Sequence, residues 1–221
     1  MLTADEARHL REVLRLKPGD EVSVFDGAGR EFRARVTQAR REFAELELEN
    51  EIEPARPESP LRITLAVALL KGEKFDLVVQ KATELGVVRF VPLITRFADI
   101  KLRDEADATK RVARWQRIAL EAAKQSGRAL VPEVSEPKPL GSILKNPCLL
   151  FSEKSGEGLP RIETDQVTAI IGSEGGWSDE ELDEARAAGV EIVTLGGRTL
   201  RAETAAITAA ALLQHRFGDL K

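Results

Sequence analysis

Val167-Thr168-Ala169-Ile170-Ile171-Gly172-Ser173-Glu174-Gly175-Gly176-Trp177-Ser178-Asp179-Glu180-Glu181 passes from an apolar run, through a glycine loop, into a helix start. The run Val167 to Ile171 has the length and β-branched content of a buried strand. Ser178 and Glu181, three residues apart, have the spacing of a capping box, so a helix is expected from Ser178 to Ala188, closed by Gly189. The glycine loop therefore lies between the carboxyl end of a strand and a helix N-terminus, where open α/β sheets bind ligands. Its glycines permit close backbone approach to a ligand. The pattern is neither G-x-G-x-x-G nor G-x-x-x-x-G-K-[ST], so neither a dinucleotide fingerprint nor a P-loop is indicated. On spacing alone, a tight strand-to-helix turn with no ligand stays open.

Outward from this stretch the same alternation continues. Strands are expected at Ile63 to Leu70, Val87 to Ile94, Cys148 to Phe151 and Glu191 to Leu195. Helices are expected at Glu73 to Leu85, Ala106 to Ser126 and Glu203 to Phe217, the second with Val112, Trp115, Ile118, Ala119 and Ala122 inward. Strands alternating with helices imply a mostly parallel sheet covered on both faces, an α/β fold.

The first sixty residues read differently. Thr3 and Glu6 have capping-box spacing, and a short helix should run to about Leu14. Glu21 to Phe25, Glu31 to Thr37 and Phe43 to Glu49 alternate polar and apolar, with Asp26-Gly27 as a hairpin signal. This is a small antiparallel β-domain. Pro54, Pro57 and Pro60 form a stiff linker, giving expected domains of residues 1–60 and 61–221.

Composition narrows the function classes. No apolar run is long enough for a membrane span, and the polar, acidic start is unlike a secretory signal. One cysteine, Cys148, allows no internal disulfide, and a cytoplasmic location is expected. His9 and His215 lie at opposite ends of the chain, so no metal site of the usual Cys/His kind is expected. The net charge is −4, yet charge is sorted into blocks. Arg8 to Arg41 holds 9 basic and 5 acidic residues, Glu42 to Pro60 holds 1 and 7, and Arg96 to Arg128 holds 9 and 5. Local positive surfaces are thus compatible with an acidic chain.

Two further loops follow expected strands. Leu195-Gly196-Gly197-Arg198-Thr199-Leu200-Arg201-Ala202-Glu203-Thr204-Ala205 places two arginines and a glutamate ahead of an alanine-rich helix. An ordinary surface ion pair of Arg201 with Glu203 is the plainer alternative. Lys71-Gly72-Glu73-Lys74 is a weaker signal, because lysines often open helices.

Five stretches occur in order: Leu70-Lys71-Gly72-Glu73-Lys74 with Gln80-Lys81-x-x-Glu84-Leu85-Gly86-Val87, then Gln125-Ser126-Gly127-Arg128, Ile171-Gly172-Ser173-Glu174-Gly175-Gly176, and Leu200-Arg201-Ala202-Glu203-Thr204-Ala205. Together they resemble the RsmE family of 16S rRNA uracil-N3 methyltransferases, over nearly the whole chain. Ser173 stands where that family usually has proline. The resemblance implies an N-terminal PUA-like β-barrel and a C-terminal SPOUT domain with a trefoil knot. It implies S-adenosylmethionine as cofactor, held by Ile171, Gly172, Ser173, Glu174, Gly175, Gly176, Leu195, Gly196, Gly197, Leu200, Thr204 and Ala205. It also implies a homodimer and, as substrate, a uridine in 16S rRNA or the small ribosomal subunit.

Uracil N3 is protonated at neutral pH and is a poor nucleophile, so its methylation needs proton removal and charge stabilisation. Arg201 is the candidate for charge stabilisation, and Glu203 for accepting the proton or orienting Arg201. Lys71, Lys74, Arg111, Arg114 and Arg128 are expected to contact RNA phosphates. A SPOUT enzyme acting on ribose 2′-OH or on tRNA, and a non-catalytic RNA-binding module, remain as alternatives.

Overall fold

The computed structural model describes residues 1–145, 147–154 and 156–221. The chain forms two compact units, residues 1–57 with 127–130, and residues 58–126 with 131–221.

In the first unit, α1 (Ala4–Arg8) runs into one π-helical turn, His9–Val13. Strands β1 (Glu21–Phe25), β2 (Glu31–Ala39) and β3 (Ala44–Ile52) form an antiparallel sheet in that order. The expected alternation is present: Ala34 and Val36 of β2 point inward and are buried. Val36 packs with Ala7, Leu10 and Ala44 in a small core. The Asp26 carboxylate organises the β1–β2 turn, accepting from the backbone N–H of Ala28 at 2.8 Å and from the Arg30 guanidinium at 2.8 Å. These bonds hold that carboxyl below its usual range, the Ala28 bond being the largest cause. Residues 127–130 join this unit through pairing of Leu130 with Gly27 and Ala28. The sequence pattern gave no sign of that excursion. Thr3 has the extended backbone of a cap, but its side chain makes no cap hydrogen bond, contrary to the expected capping box.

The second unit is built on a sheet ordered β10-β8-β9-β4-β5-β6, with β7 also paired to β5, and every pairing parallel. The strands are β4 (Arg62–Ala68), β5 (Val87–Ile94), β6 (Glu133–Val134), β7 (Lys138–Pro139), β8 (Cys148–Phe151), β9 (Gln166–Ile171) and β10 (Glu191–Val193). The helices are α2 (Lys74–Glu84), α3 (Glu105–Ser126), α4 (Asp179–Ala187) and α5 (Ala202–Phe217).

Successive strand residues face opposite layers. Leu149, Phe151, Val167, Ala169 and Ile171 pack with residues of α2, α3 and α5, including Phe75, Trp115 and Leu213. Cys148, Leu150 and Ile170 turn the other way, towards Leu182 and Ala185 of α4. The sheet is therefore apolar on both faces, which is why its strands are continuous apolar runs. Phe75 and Trp115 meet at 4.2 Å between ring centroids, and the Trp115 indole N–H donates to Asp76 at 3.0 Å, joining α2 to α3.

Candidate active site

The glycine loop after β9 is shaped by its own hydrogen bonds. The Gly176 N–H donates to the Ser173 carbonyl at 3.0 Å, closing a tight turn. The Ser178–Glu181 capping box is present: the Glu181 N–H donates to Ser178 Oγ at 3.2 Å, and the Ser178 N–H to the Glu181 carboxylate at 2.9 Å. Trp177 is buried, and its indole N–H donates to the Phe151 carbonyl at 2.9 Å. Its ring lies against Gly172, where a Cβ would come within 3.1 Å of it. The loop is thus tied to the end of β8.

A cavity of about 390 Å³ opens at the carboxyl ends of β8, β9 and β10. That lies in the range of small-molecule sites, roughly 300–1,000 Å³. Of the residues expected to hold a cofactor, Ile171, Gly172, Ser173, Glu174, Gly176, Leu195, Gly196, Leu200 and Ala205 line it. Gly175, Gly197 and Thr204 do not. Gly175 instead faces Phe97, whose Cβ and carbonyl oxygen would lie 2.7 and 3.1 Å from an added Cβ. The sequence reading missed Phe151, Ser152 and Glu153 at the end of β8, together with Trp177, Thr194, Arg198, Thr199 and Ala202.

The charges around the cavity are distinct in their partners. Arg201, the N-cap residue of α5, lines the wall, is exposed, and makes no side-chain hydrogen bond or ion pair among the described residues. The same holds for Arg198. No ion pair joins Arg201 to Glu203 among the described residues, so the plainer alternative for that pair is not what the chain forms. Glu203 lies outside the lining, with Oε2 buried and without a hydrogen-bond partner among the described residues. Ser173 Oγ, in the lining, is likewise buried without a partner. Burial raises the Glu174 carboxyl pKa, but the bond from Lys74 Nζ at 2.7 Å and backbone N–H groups outweigh it, so the carboxyl sits below its usual range.

The cations expected to meet RNA are mostly paired. Lys71 lies 2.6 Å from Asp99, Lys74 2.7 Å from Glu174, and Arg111 3.2 Å from Asp107. Arg114 lies 2.6 Å from Asp76 and 3.8 Å from Glu73. Arg128 is buried, so the structure does not bring it to the surface where a phosphate contact was expected. Gln80, Lys81, Glu84 and Gln125 line a second, open cleft of about 550 Å³ between α2 and α3.

A ligand-sized cavity thus stands at the carboxyl edge of an α/β sheet, in a chain that also carries a small antiparallel unit. Residues 57–214 match the RNA methyltransferase domain family, and residues 2–49 match the RNA methyltransferase PUA domain. The class is therefore an RNA methyltransferase with an N-terminal PUA domain. The chain is 36% identical to ribosomal RNA small subunit methyltransferase E of Synechocystis sp., covering 95% of this chain and 71% of that protein. It is 32% identical to the protein of that name from Rickettsia conorii, covering 95% and 87%. The crystal structure of ribosomal RNA small subunit methyltransferase E from Neisseria gonorrhoeae, bound to S-adenosyl methionine, is 36% identical with a TM-score of 0.88, covering 100% of this chain and 92% of that one. The chain belongs to the ribosomal RNA small subunit methyltransferase E (RsmE) family.

Proposed function

We propose that this protein methylates N3 of a uridine in 16S rRNA, using S-adenosylmethionine bound in the cavity at the carboxyl ends of β8, β9 and β10. The observation that carries the reading is that cavity itself. The glycine loops after β9 and β10 converge on it, and Arg201, which has no side-chain partner among the described residues, lines its wall. The residues present fit such a ligand. Phe151, Ile171, Trp177 and Leu200 offer apolar walls for a nucleoside, and the buried Ser173 hydroxyl, without a partner among the described residues, is available to bond it. S-adenosylmethionine supplies an electrophilic methyl group.

The protein's own groups account for the rest. Loss of the N3 proton spreads negative charge onto O2 and O4 of uracil. The Arg201 guanidinium, a fixed fork of donors, suits that charge. The Glu203 carboxylate stands next to the lining residue Ala202 and has one buried oxygen that finds no hydrogen-bond donor among the described residues. We keep it as the candidate proton acceptor, acting from beside the cavity rather than within it. The base must leave its stack to reach this site. Lys71, Lys74, Arg111 and Arg114 are proposed to exchange carboxylate partners for RNA phosphates, at least cost for the exposed Lys71–Asp99 pair.

We further propose a homodimer. Leu77 on α2 and Leu212 on α5 are 41% and 39% exposed, on two helices that pack together. A strand order that inserts β9 between β4 and β8, then sets β10 outside β8, supports the trefoil knot. The site of action is proposed to be the cytoplasm, which suits the one free, buried cysteine. The test is transfer of a labelled methyl group from S-adenosylmethionine to small-subunit RNA, followed by mapping of the modified atom. Label on N3 of uracil is the expected result. Label on ribose, or on tRNA alone, would refute it.

A further inference from the structure

The cavity lining contains two carboxylates in different circumstances. Glu174 is committed to Lys74 at 2.7 Å. Glu153 is exposed and has no hydrogen bond or ion pair among the described residues. The residue before it is tied to β10 and its end. The Ser152 N–H donates to the Val193 carbonyl at 2.9 Å, and Thr194 Oγ1 donates to the Ser152 carbonyl at 3.0 Å. Further along, the Glu157 N–H donates to Ile192 at 3.0 Å and its carbonyl accepts from Thr194 at 2.8 Å. These bonds tie Ser152 and Glu157 to the residues Ile192 to Thr194. The Glu153 carboxylate rests over Gly176, 2.8 Å from where a Cβ would stand. A larger residue at 176 would displace it.

The remaining charged lining residues are Arg198 and Arg201, both cationic. S-adenosylmethionine carries a sulfonium, an α-ammonium and one carboxylate, a net positive charge. A cavity whose free side chains were only arginines would repel it. Glu153 is the lining carboxylate without a partner, and it stands at the exposed rim, while the buried walls of Phe151, Ile171 and Trp177 are apolar. The apolar walls suit the adenine, which leaves the polar amino-acid end at the rim. We propose that Glu153 binds the α-ammonium of the amino-acid end of S-adenosylmethionine, a proposal that rests on reading this cavity as the site of that molecule.

The experiment is calorimetric titration of the whole protein and of Glu153→Gln with three ligands. These are S-adenosylmethionine, S-adenosylhomocysteine, which keeps the ammonium but is a neutral thioether, and 5′-methylthioadenosine, which keeps the nucleoside but lacks the amino acid. Glu153→Gln should weaken the first two about tenfold or more, as expected for loss of a charged hydrogen bond, and leave the third within about twofold. Equal weakening of all three would place Glu153 on the nucleoside and overturn the proposal. Weakening of S-adenosylmethionine alone would place it at the sulfonium, and unchanged affinities would make it a spectator; both also overturn it. If the unaltered protein bound none of the three, the cofactor reading would fail and this inference with it.

Discussion

Lys74 Nζ lies 2.7 Å from Glu174 Oε1, joining the first turn of α2 to the glycine loop after β9 across a separation of 100 residues. The two side chains are 29% and 26% exposed, so the pair is partly shielded from solvent. Its consequence is a pH-dependent contribution to stability. A carboxyl whose folded pKa is lowered stabilises the fold above its unfolded pKa, roughly 4.3 for glutamate. That contribution is lost as the pH falls through the lowered value. Glu174→Gln should therefore cost up to about 1 kcal/mol at pH 7, and the difference should shrink as the pH falls from about 4.3 towards the lowered pKa. Thermal melts of both proteins across that range provide the check. A difference that grows on acidification would contradict the assignment.

Gly175 and Gly196 separate a structural glycine from a site glycine. Gly196 lines the cavity with φ +75°, and an added Cβ would meet nothing within 4 Å. Gly196→Val should cost about 1–2 kcal/mol for the left-handed backbone and fill cavity space, so ligand affinity should fall in a protein that still folds. Gly175→Val should drive its side chain into Phe97 and lower the melting temperature, with weaker binding only as a consequence. Melting curves and calorimetry on the two variants distinguish these outcomes.

The two loops after β9 and β10 were legible because glycines mark them locally. Phe151, Ser152 and Glu153 carry no such mark. They reach the cavity because β8 lies between β9 and β10, a strand order that no local pattern encodes. The same reason hid the pairing of Leu130 with Gly27 and Ala28, and two-residue strands such as β6 and β7 are too short for periodicity to register. The two capping-box spacings are instructive side by side. Ser178 and Glu181 form both bonds at the head of a nine-residue helix, whereas the Thr3 side chain makes no cap bond at the head of a five-residue helix that changes to a π turn. Spacing makes the bonds available, and the surrounding packing decides whether the rotamers form them.

Trp177 closes the floor of the site. Its indole N–H bonds the Phe151 carbonyl at 2.9 Å inside the protein, and its ring backs Gly172. Trp177→Phe would leave that buried carbonyl without its donor, at a cost of about 1–3 kcal/mol. It would also loosen the junction of the β8 and β9 ends. Denaturant unfolding should show the loss, and ligand affinity should fall with it. A variant as stable as the parent would mean that the carbonyl finds another donor.

Arg201 and Lys71 should fail in different ways. Arg201 lines the cavity without a partner, while Lys71 is held 2.6 Å from Asp99 on the exposed surface. Burial opposes the Lys71 charge, but the hydrogen bond to Asp99 is the largest cause and keeps its pKa above the usual lysine value, so it stays a cation throughout the working pH range. If Lys71 meets a phosphate, Lys71→Ala should weaken RNA binding whatever the sequence and reduce the salt slope by about one unit. The methylation rate at saturating RNA should stay near that of the parent. If Arg201 stabilises charge on the reacting base, its main interaction is made in the transition state. Arg201→Ala should then leave RNA affinity nearly intact and slow single-turnover methylation by about 100- to 1,000-fold, the scale of losing one charge-stabilising donor. Salt-dependent binding and single-turnover rates on both variants decide the matter. An Arg201→Ala protein that loses only RNA affinity would make Arg201 a positioning residue, and the charge on the base would need another donor, for which Arg198 in the same lining is the next to test.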